Sequence, residues 1–536
     1  MPDVSQVDPV YRKSSGAVQR LARFGEQSAR WMARYEVWLL AVIALRFAIR
    51  EWRSAARPLW YDELLTFHIA RLPDLAAIFR AIPADGSPPL NFLLARACMK
   101  VLGSTELAVR LPAIVAFACA LGAVYLFVRR RFGVVNALFA VLVLSASGMA
   151  DFAAEARPYA LMLGFTGLIL LSWQAATEDT RPRLFPLTGV ALGVAGVIAS
   201  HHYGVIYAGI ALSFGEAVRL WNRRRLDFPL YAASAAGLSA LAVTLPFARA
   251  TRQVALVYTL TSTTFWAKPQ LESLLSYEQM VDWWLPLVLL ALIWLTRPAF
   301  ASDSATATAD SHIRPHEIAA AVGLTLLVPI IIVITRVTTG YFMNRYAIGS
   351  AMGIALLAGI ATPLLGRSRS HTTAVVALCV LLLLIQLFAP TAAARARSIV
   401  TRFTASPPDS ESASVLDAAQ GRDPIVIASA LAYMPLWWYS VPRLRERLHY
   451  LADLPYAVRQ PDFLPELSLD VDQEFLPSKV DDYHEFLTTH TRFLLYCTGR
   501  QRLEWTKDRL TTDHWRLHLL RQRGAETLFL AEAPGL

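Results

Sequence analysis

Stretches 134–150, 159–173, 318–334 and 372–388 carry almost no charge and approach the roughly 20 residues a helix needs to cross a bilayer. Their apolar residues are bunched rather than periodic, which sets the class. Only 17% of the chain is charged, against roughly 25% in soluble domains. The expected fold is a polytopic α-helical membrane protein. Spans fall at about 37–56, 111–128, 134–150, 158–174, 185–200, 204–221, 229–247, 283–297, 316–336, 346–365 and 372–390, about eleven in all. Segment 88–102 is a short twelfth candidate containing Asn91, Arg96 and Lys100. Residues 1–35 are polar and basic and lack the apolar core of a signal peptide.

The positive-inside rule decides whether 88–102 crosses. If it lies in the interface, the basic tail, Arg129–Arg131, Arg181 and Arg183, Arg223–Arg225, the 298–315 loop, Arg367 and Arg369 all become cytoplasmic. Residues 57–110 then form one external loop with interfacial helices. The formal charge of +10 is accounted for by these short basic loops, so nucleic acid is not an expected partner. On the opposite face the same topology collects Asp62, Glu63, Asp85, Asp151, Glu155, Arg157, His201, His202, Arg345 and Tyr346. Ionisable groups at span ends are functional candidates by default.

Beyond the membrane domain (36–390) and a polar linker (391–421), residues 422–536 read as a soluble α/β domain. Strands are expected at 424–429, 448–453, 492–499 and 527–533, and a helix at 479–490. An odd number of spans from a cytoplasmic tail puts this domain outside, which in a bacterial inner membrane is the periplasm. Cys98, Cys119, Cys379 and Cys497 are scattered, without metal-ligand or disulfide spacing.

The external loop is the most informative region. It opens on LWYDELLTFHIA (59–70), with Asp62-Glu63 at the membrane edge. ADGSPPLNFLLAR (84–96) follows, where Pro88-Pro89 ends one helix and starts the next. In GSTELAVRLPA (103–113), Glu106 and Arg110 are four apart and share a helical face on which they can pair. EARPYAL (155–161), HHYG (201–204) and NRYAIG (344–349) come later in the chain.

In order and spacing, these six pieces resemble the integral-membrane GT-C glycosyltransferases that use polyprenyl-phosphate sugars. Among them the chain is most similar to the branch of protein O-mannosyltransferases and the lipid A aminoarabinose transferase. The resemblance runs from about residue 36 to 365. It implies that the acid of the first external loop, Asp62, is the catalytic base. One position departs: Ser87 stands where the aminoarabinose-transferase pattern has a lysine before its Pro-Pro, which shifts phosphate binding to Arg157 or Arg345.

The chemistry gives these assignments a reason. An acceptor hydroxyl or amine attacks the anomeric carbon while a lipid phosphate leaves, and a carboxylate can take the acceptor proton. The departing phosphate needs cationic or hydrogen-bonding partners, for which Arg157, His202, Arg345 and Tyr346 are the candidates. Glu63 is expected to orient Asp62 or the acceptor. Asp151 and Glu155, four apart, are expected to share a helical face and assist. Adjacent His201 and His202 point about 100° apart on a helix and suit a shared metal poorly. The scheme needs no metal and no other cofactor, although some members of the wider fold use a divalent ion.

The expected reaction is sugar transfer from a polyprenyl-phosphate donor to a lipid, protein or glycan acceptor at the periplasmic face, by direct displacement. The alternative is a flippase or transporter of a lipid-linked sugar. That would scatter ionisable groups through the midplane and often repeat a half, neither of which is seen. A polymerase or ligase would use the same donor chemistry on a larger acceptor. Asp470-Val471-Asp472 spells a DxD but lies in an acidic external segment without a nucleotide fold, and no GxGxxG or P-loop run occurs.

Overall fold

The computed structural model describes residues 9–178, 182–249, 267–281, 314–388 except 339, 341 and 366–368, then 416, 419, 421–457, 459, 478–499 and 504–534. The expected spans lie largely on helices, 229–247 and 316–336 each on two with a bend between them; 283–297, 389–390 and Asp470–Asp472 lie outside the described residues. Among the described residues, Glu106–Ala146 and Tyr159–Ala176 are each long and apolar enough to cross a membrane. The number rises to four if the bent pairs Phe228–Leu238 with Leu241–Arg249 and Pro315–Thr325 with Leu327–Val337 each count as one span.

The basic tail is itself helical, α1 (Pro9–Arg34), and leads into α2 (Glu36–Ala55). The expected spans at 111–128 and 134–150 belong to one helical run, α6 (Glu106–Ala146). Its 41 residues are not one continuous helix. Gly133 divides it, with φ 79° and ψ −179°, a conformation open to glycine alone at little cost. Helix α7 (Tyr159–Ala176) packs closely on α6. A Cβ at Gly164 would sit 2.7 Å from the Ala116 carbonyl oxygen, the small-residue contact by which membrane helices gain packing. Helices α8 (Leu184–Ser200), α9 (Gly204–Arg223) and α10 (Phe228–Leu238) follow.

The segment between α2 and α6 holds three short helices, α3 (Tyr61–Arg71), α4 (Leu75–Asp85) and α5 (Leu90–Leu102). Asp62 and Glu63 occupy the first turn of α3, where negative charge suits the exposed amides and the helix dipole. Asp74 caps α4 by accepting from the Ala77 amide at 2.7 Å. Gly86, at φ 74°, ends it in the left-handed conformation. Pro89 then stands at the N-cap of α5. At 13 residues, α5 is too short to span. It buries Asn91, Phe92, Ala95 and Met99 against its neighbours.

The C-terminal domain is a six-stranded sheet, β1 (Ile425–Ile427), β2 (Leu448–Ala452), β3 (Val480–Asp482), β4 (Arg492–Cys497), β5 (Arg516–Arg523) and β6 (Glu526–Glu532), in the order β3-β2-β1-β4-β6-β5. The first four pair in parallel, with Val426 opposite Leu495, whereas β6 is antiparallel to both β4 and β5. Two expectations are corrected. Residues 480–482 form strand β3, so the helix expected from 479 spans only Tyr483–Thr489. The strand β5 was missed because RLHLLRQR is a basic, exposed edge without a buried alternating face.

This domain is not a separate bead. One apolar cluster joins Leu59, Tyr61, Leu64, Leu65 and Phe67, at the entry to α3 and on it, to helix Ala430–Tyr439 and to Ile425, Leu448 and Tyr496 of the sheet. Tyr439 fixes the seam: its hydroxyl accepts from the Leu59 amide at 2.7 Å and donates to Glu106 at 3.2 Å.

Candidate active site

The acid pair at the start of α3 divides its work. Glu63 is buried. Its carboxylate accepts from Arg110 at Nε (2.7 Å) and Nη2 (2.5 Å), from the Ala156 amide (2.8 Å) and from the Trp60 amide (3.3 Å). The remaining Arg110 donors go to the carbonyls of Ala55, Arg57 and Pro58. The expected Glu106–Arg110 pair is thus replaced by Glu63–Arg110, across 47 residues. This network holds the entry to α3, the start of α6 and the segment before α7 at one point.

Asp62, one residue earlier, faces the opposite circumstance. Its Oδ2 lies 3.9 Å from Arg157 Nε and 3.7 Å from Arg345 Nη2, beyond hydrogen-bond length from both. Arg157 also donates to the Asp62 carbonyl at 3.3 Å and pairs closely with Asp85 at the end of α4. Arg345 lies on a 3-10 turn, Asn344–Ala347, with its guanidinium 5.4 Å above the Tyr159 ring. Three segments far apart in sequence therefore converge on one carboxylate.

Four buried polar atoms in this cluster have no hydrogen-bond partner: Asp85 Oδ2, Glu155 Oε1, Arg157 Nε and Arg345 Nε. Buried polar groups are nearly always paired, so such a concentration points to a polar ligand. Burial raises the Glu155 carboxyl from 4.5 to about 8, the Glu63 and Asp62 carboxylates adding to the rise and Arg345 and Arg157 opposing it.

Asp151 does not share a face with Glu155. Residues Gly148–Ala154 form a 3-10 helix and Glu155 is extended, because the chain turns before Pro158 instead of continuing as an α-helix. Asp151 pairs with Arg50 at 2.6 Å. His202 hydrogen-bonds the Gly86 backbone beside Asp85, and burial lowers its pKa to about 4. His201 accepts from the Tyr203 amide through Nδ1 at 3.2 Å and lies against Tyr203 and Tyr346. Tyr346 stacks on Tyr203, 4.9 Å between centroids, and so forms an aromatic wall beside Arg345. The cluster thus unites Asp62, Glu155, Arg157 and Arg345, with His202 and Tyr346 at its edges, and leaves out Asp151.

Asp85, gathered on the same face by the sequence but given no role there, joins the site, and so does Tyr159, which was missed; both lie in the motifs. Nothing local marks Asp85, since its partner is 72 residues away. Among the described residues, no group of three His, Cys, Asp or Glu side chains is placed to hold a metal ion. A cavity of about 490 Å³ opens elsewhere, at the carboxyl ends of β2 and β3. Of its lining acids, Asp453 and Asp482 cap the turns that follow.

Two comparisons bear on this arrangement. The family model described as dolichyl-phosphate-mannose-protein mannosyltransferase matches residues 86–249. Two crystal structures of ArnT from Cupriavidus metallidurans share the fold at 14% sequence identity. The apo form has a TM-score of 0.55, over 93% of this chain and 98% of ArnT. The form bound to undecaprenyl phosphate has a TM-score of 0.52, over 92% and 98%. No curated protein sequence matches.

Proposed function

We propose that this member of the GT-C superfamily is a glycosyltransferase taking a sugar from a polyprenyl-phosphate donor to an acceptor at the periplasmic face of the inner membrane. The observation that carries the reading is Asp62: a carboxylate with its side chain 18% exposed, flanked by two arginines whose Nε atoms lack partners. A base must reach an acceptor, and a departing phosphate must meet fixed positive charge. Both needs are met at one point. The undecaprenyl phosphate bound to ArnT supports a lipid phosphate as the group recognised.

In this scheme the isoprenoid tail stays in lipid and the phosphate meets Arg345 and Arg157. Asp62 takes the proton of the acceptor hydroxyl or amine as the new bond forms, and the bond from the anomeric carbon to the phosphate oxygen breaks. Inversion follows from a single displacement. Glu63 acts from behind, holding α3 rather than touching substrate. His202 and Tyr346 bound the sugar side. Asp151, tied to Arg50, steadies the turn that carries Glu155.

The test is sugar transfer in membranes bearing the wild-type chain, supplied with labelled polyprenyl-phosphate hexoses and pentoses. Release of lipid phosphate with labelled acceptor supports the reading. Movement of the sugar lipid across the bilayer without transfer from any donor would replace it with transport.

A further inference from the structure

We infer that Glu155 is a neutral hydrogen-bond donor to a non-bridging oxygen of the donor phosphate, an inference that rests on the lipid-phosphate reading of this site. The geometry begins with the backbone. The Ala156 amide is bound to Glu63 at 2.8 Å, and the Ala156 carbonyl accepts from Asn91 Nδ2 at 3.4 Å. The Arg157 side chain is held by Asp85 and by the Asp62 carbonyl. Glu155 is therefore anchored from its C-terminal side by three separate elements, and its buried Oε1 has no partner.

An ionised carboxylate in that position is penalised, because its Oε1 is desolvated without a hydrogen bond. The groups facing it are the carboxylates of Glu63 and Asp62, the guanidiniums of Arg345, Arg157 and Arg57, and the Tyr159 phenol. Burial and the two carboxylates outweigh the arginines and favour the protonated form at neutral pH. A protonated carboxyl has what a phosphate oxygen lacks: an O–H to give.

As the anomeric C–O bond breaks, its electron pair goes to the phosphate, which passes from one negative charge toward two. The acceptor proton goes to Asp62, and Glu155 keeps its own proton within the hydrogen bond. Two arginines and one neutral donor then share the developing charge. An ionised Glu155 would instead repel it.

The experiment compares full-length wild type, Glu155→Gln and Glu155→Ala. An amide keeps a donor but cannot ionise. Glu155→Gln is expected to transfer sugar within about threefold of wild type, and Glu155→Ala about 10²-fold more slowly, the usual cost of losing one such donor. Wild-type rate should fall as pH rises through about 8, and Glu155→Gln should not follow it. Infrared difference spectroscopy gives a readout free of turnover. A protonated-carboxyl band at neutral pH should be absent in Glu155→Gln and should shift in wild type when undecaprenyl phosphate is added. If that band is present and shifts while wild type transfers no sugar, the inference stands and the transferase reading fails. Glu155→Gln as slow as Glu155→Ala, with no such band, would overturn the inference.

Discussion

Glu63, with its side chain 2% exposed, spends both carboxylate oxygens on Arg110 and two backbone amides. Asp62, next to it in the chain and 18% exposed, has its two arginines just beyond hydrogen-bond reach. The Glu63–Arg110 region is closed: five guanidinium bonds are all made within the protein. The Asp62 region is open: Asp85, Glu155, Arg157 and Arg345 each keep a buried atom without a partner. A fully paired buried network fixes structure, whereas an incompletely paired one holds capacity for a ligand. Two adjacent acids that look equivalent in sequence thus belong to opposite kinds of site.

The contrast breaks hardest at Arg110. Arg110→Met strands Glu63 as a buried charge, a loss of about 3–5 kcal/mol, and little or no monodisperse protein is expected from detergent extraction. Arg345→Ala should fold normally yet raise the donor KM or lower kcat by about 10²-fold in total, read from donor-titrated transfer rates. Glu155 sharpens the comparison through pH. Its folded pKa of about 8 exceeds the ordinary 4.5, so its contribution to stability is fully present below 4.5 and is lost as pH rises to 8. Glu155→Gln should therefore melt higher than wild type above pH 8, with the gap closing toward pH 4.5. Tyr439→Phe should have the smallest effect, about 1–2 kcal/mol from the Leu59 amide left unpaired at the domain seam, seen as a modestly lower Tm.

Much of this was legible in the sequence. Apolar runs located the helices, and the distribution of basic loops alone grouped Asp62, Glu155, Arg157 and Arg345, which the structure brings together. The motif order carried the fold. What sequence could not supply was pairing at a distance. Arg110 has Glu106 one turn away on its own helix, yet it reaches back to Glu63, where its guanidinium makes five bonds to that carboxylate and to the carbonyls of Ala55, Arg57 and Pro58. Asp85 has no local signature, since its meaning comes from Arg157. The 3-10 turn at 148–154 defeated the i, i+4 reading of Asp151 and Glu155. The edge strand β5 was hidden because a charged, exposed strand lacks the alternation that marks a half-buried one.

The division between the two acids is tested most directly by Asp62→Asn and Glu63→Gln, each assayed for sugar transfer and thermal unfolding at matched protein levels. The account predicts that Asp62→Asn melts like wild type and binds the donor but loses about 10²–10⁴-fold in rate. Glu63→Gln should melt lower while its surviving folded fraction still transfers. A fully active Asp62→Asn, or an inactive Glu63→Gln with wild-type stability, would contradict it.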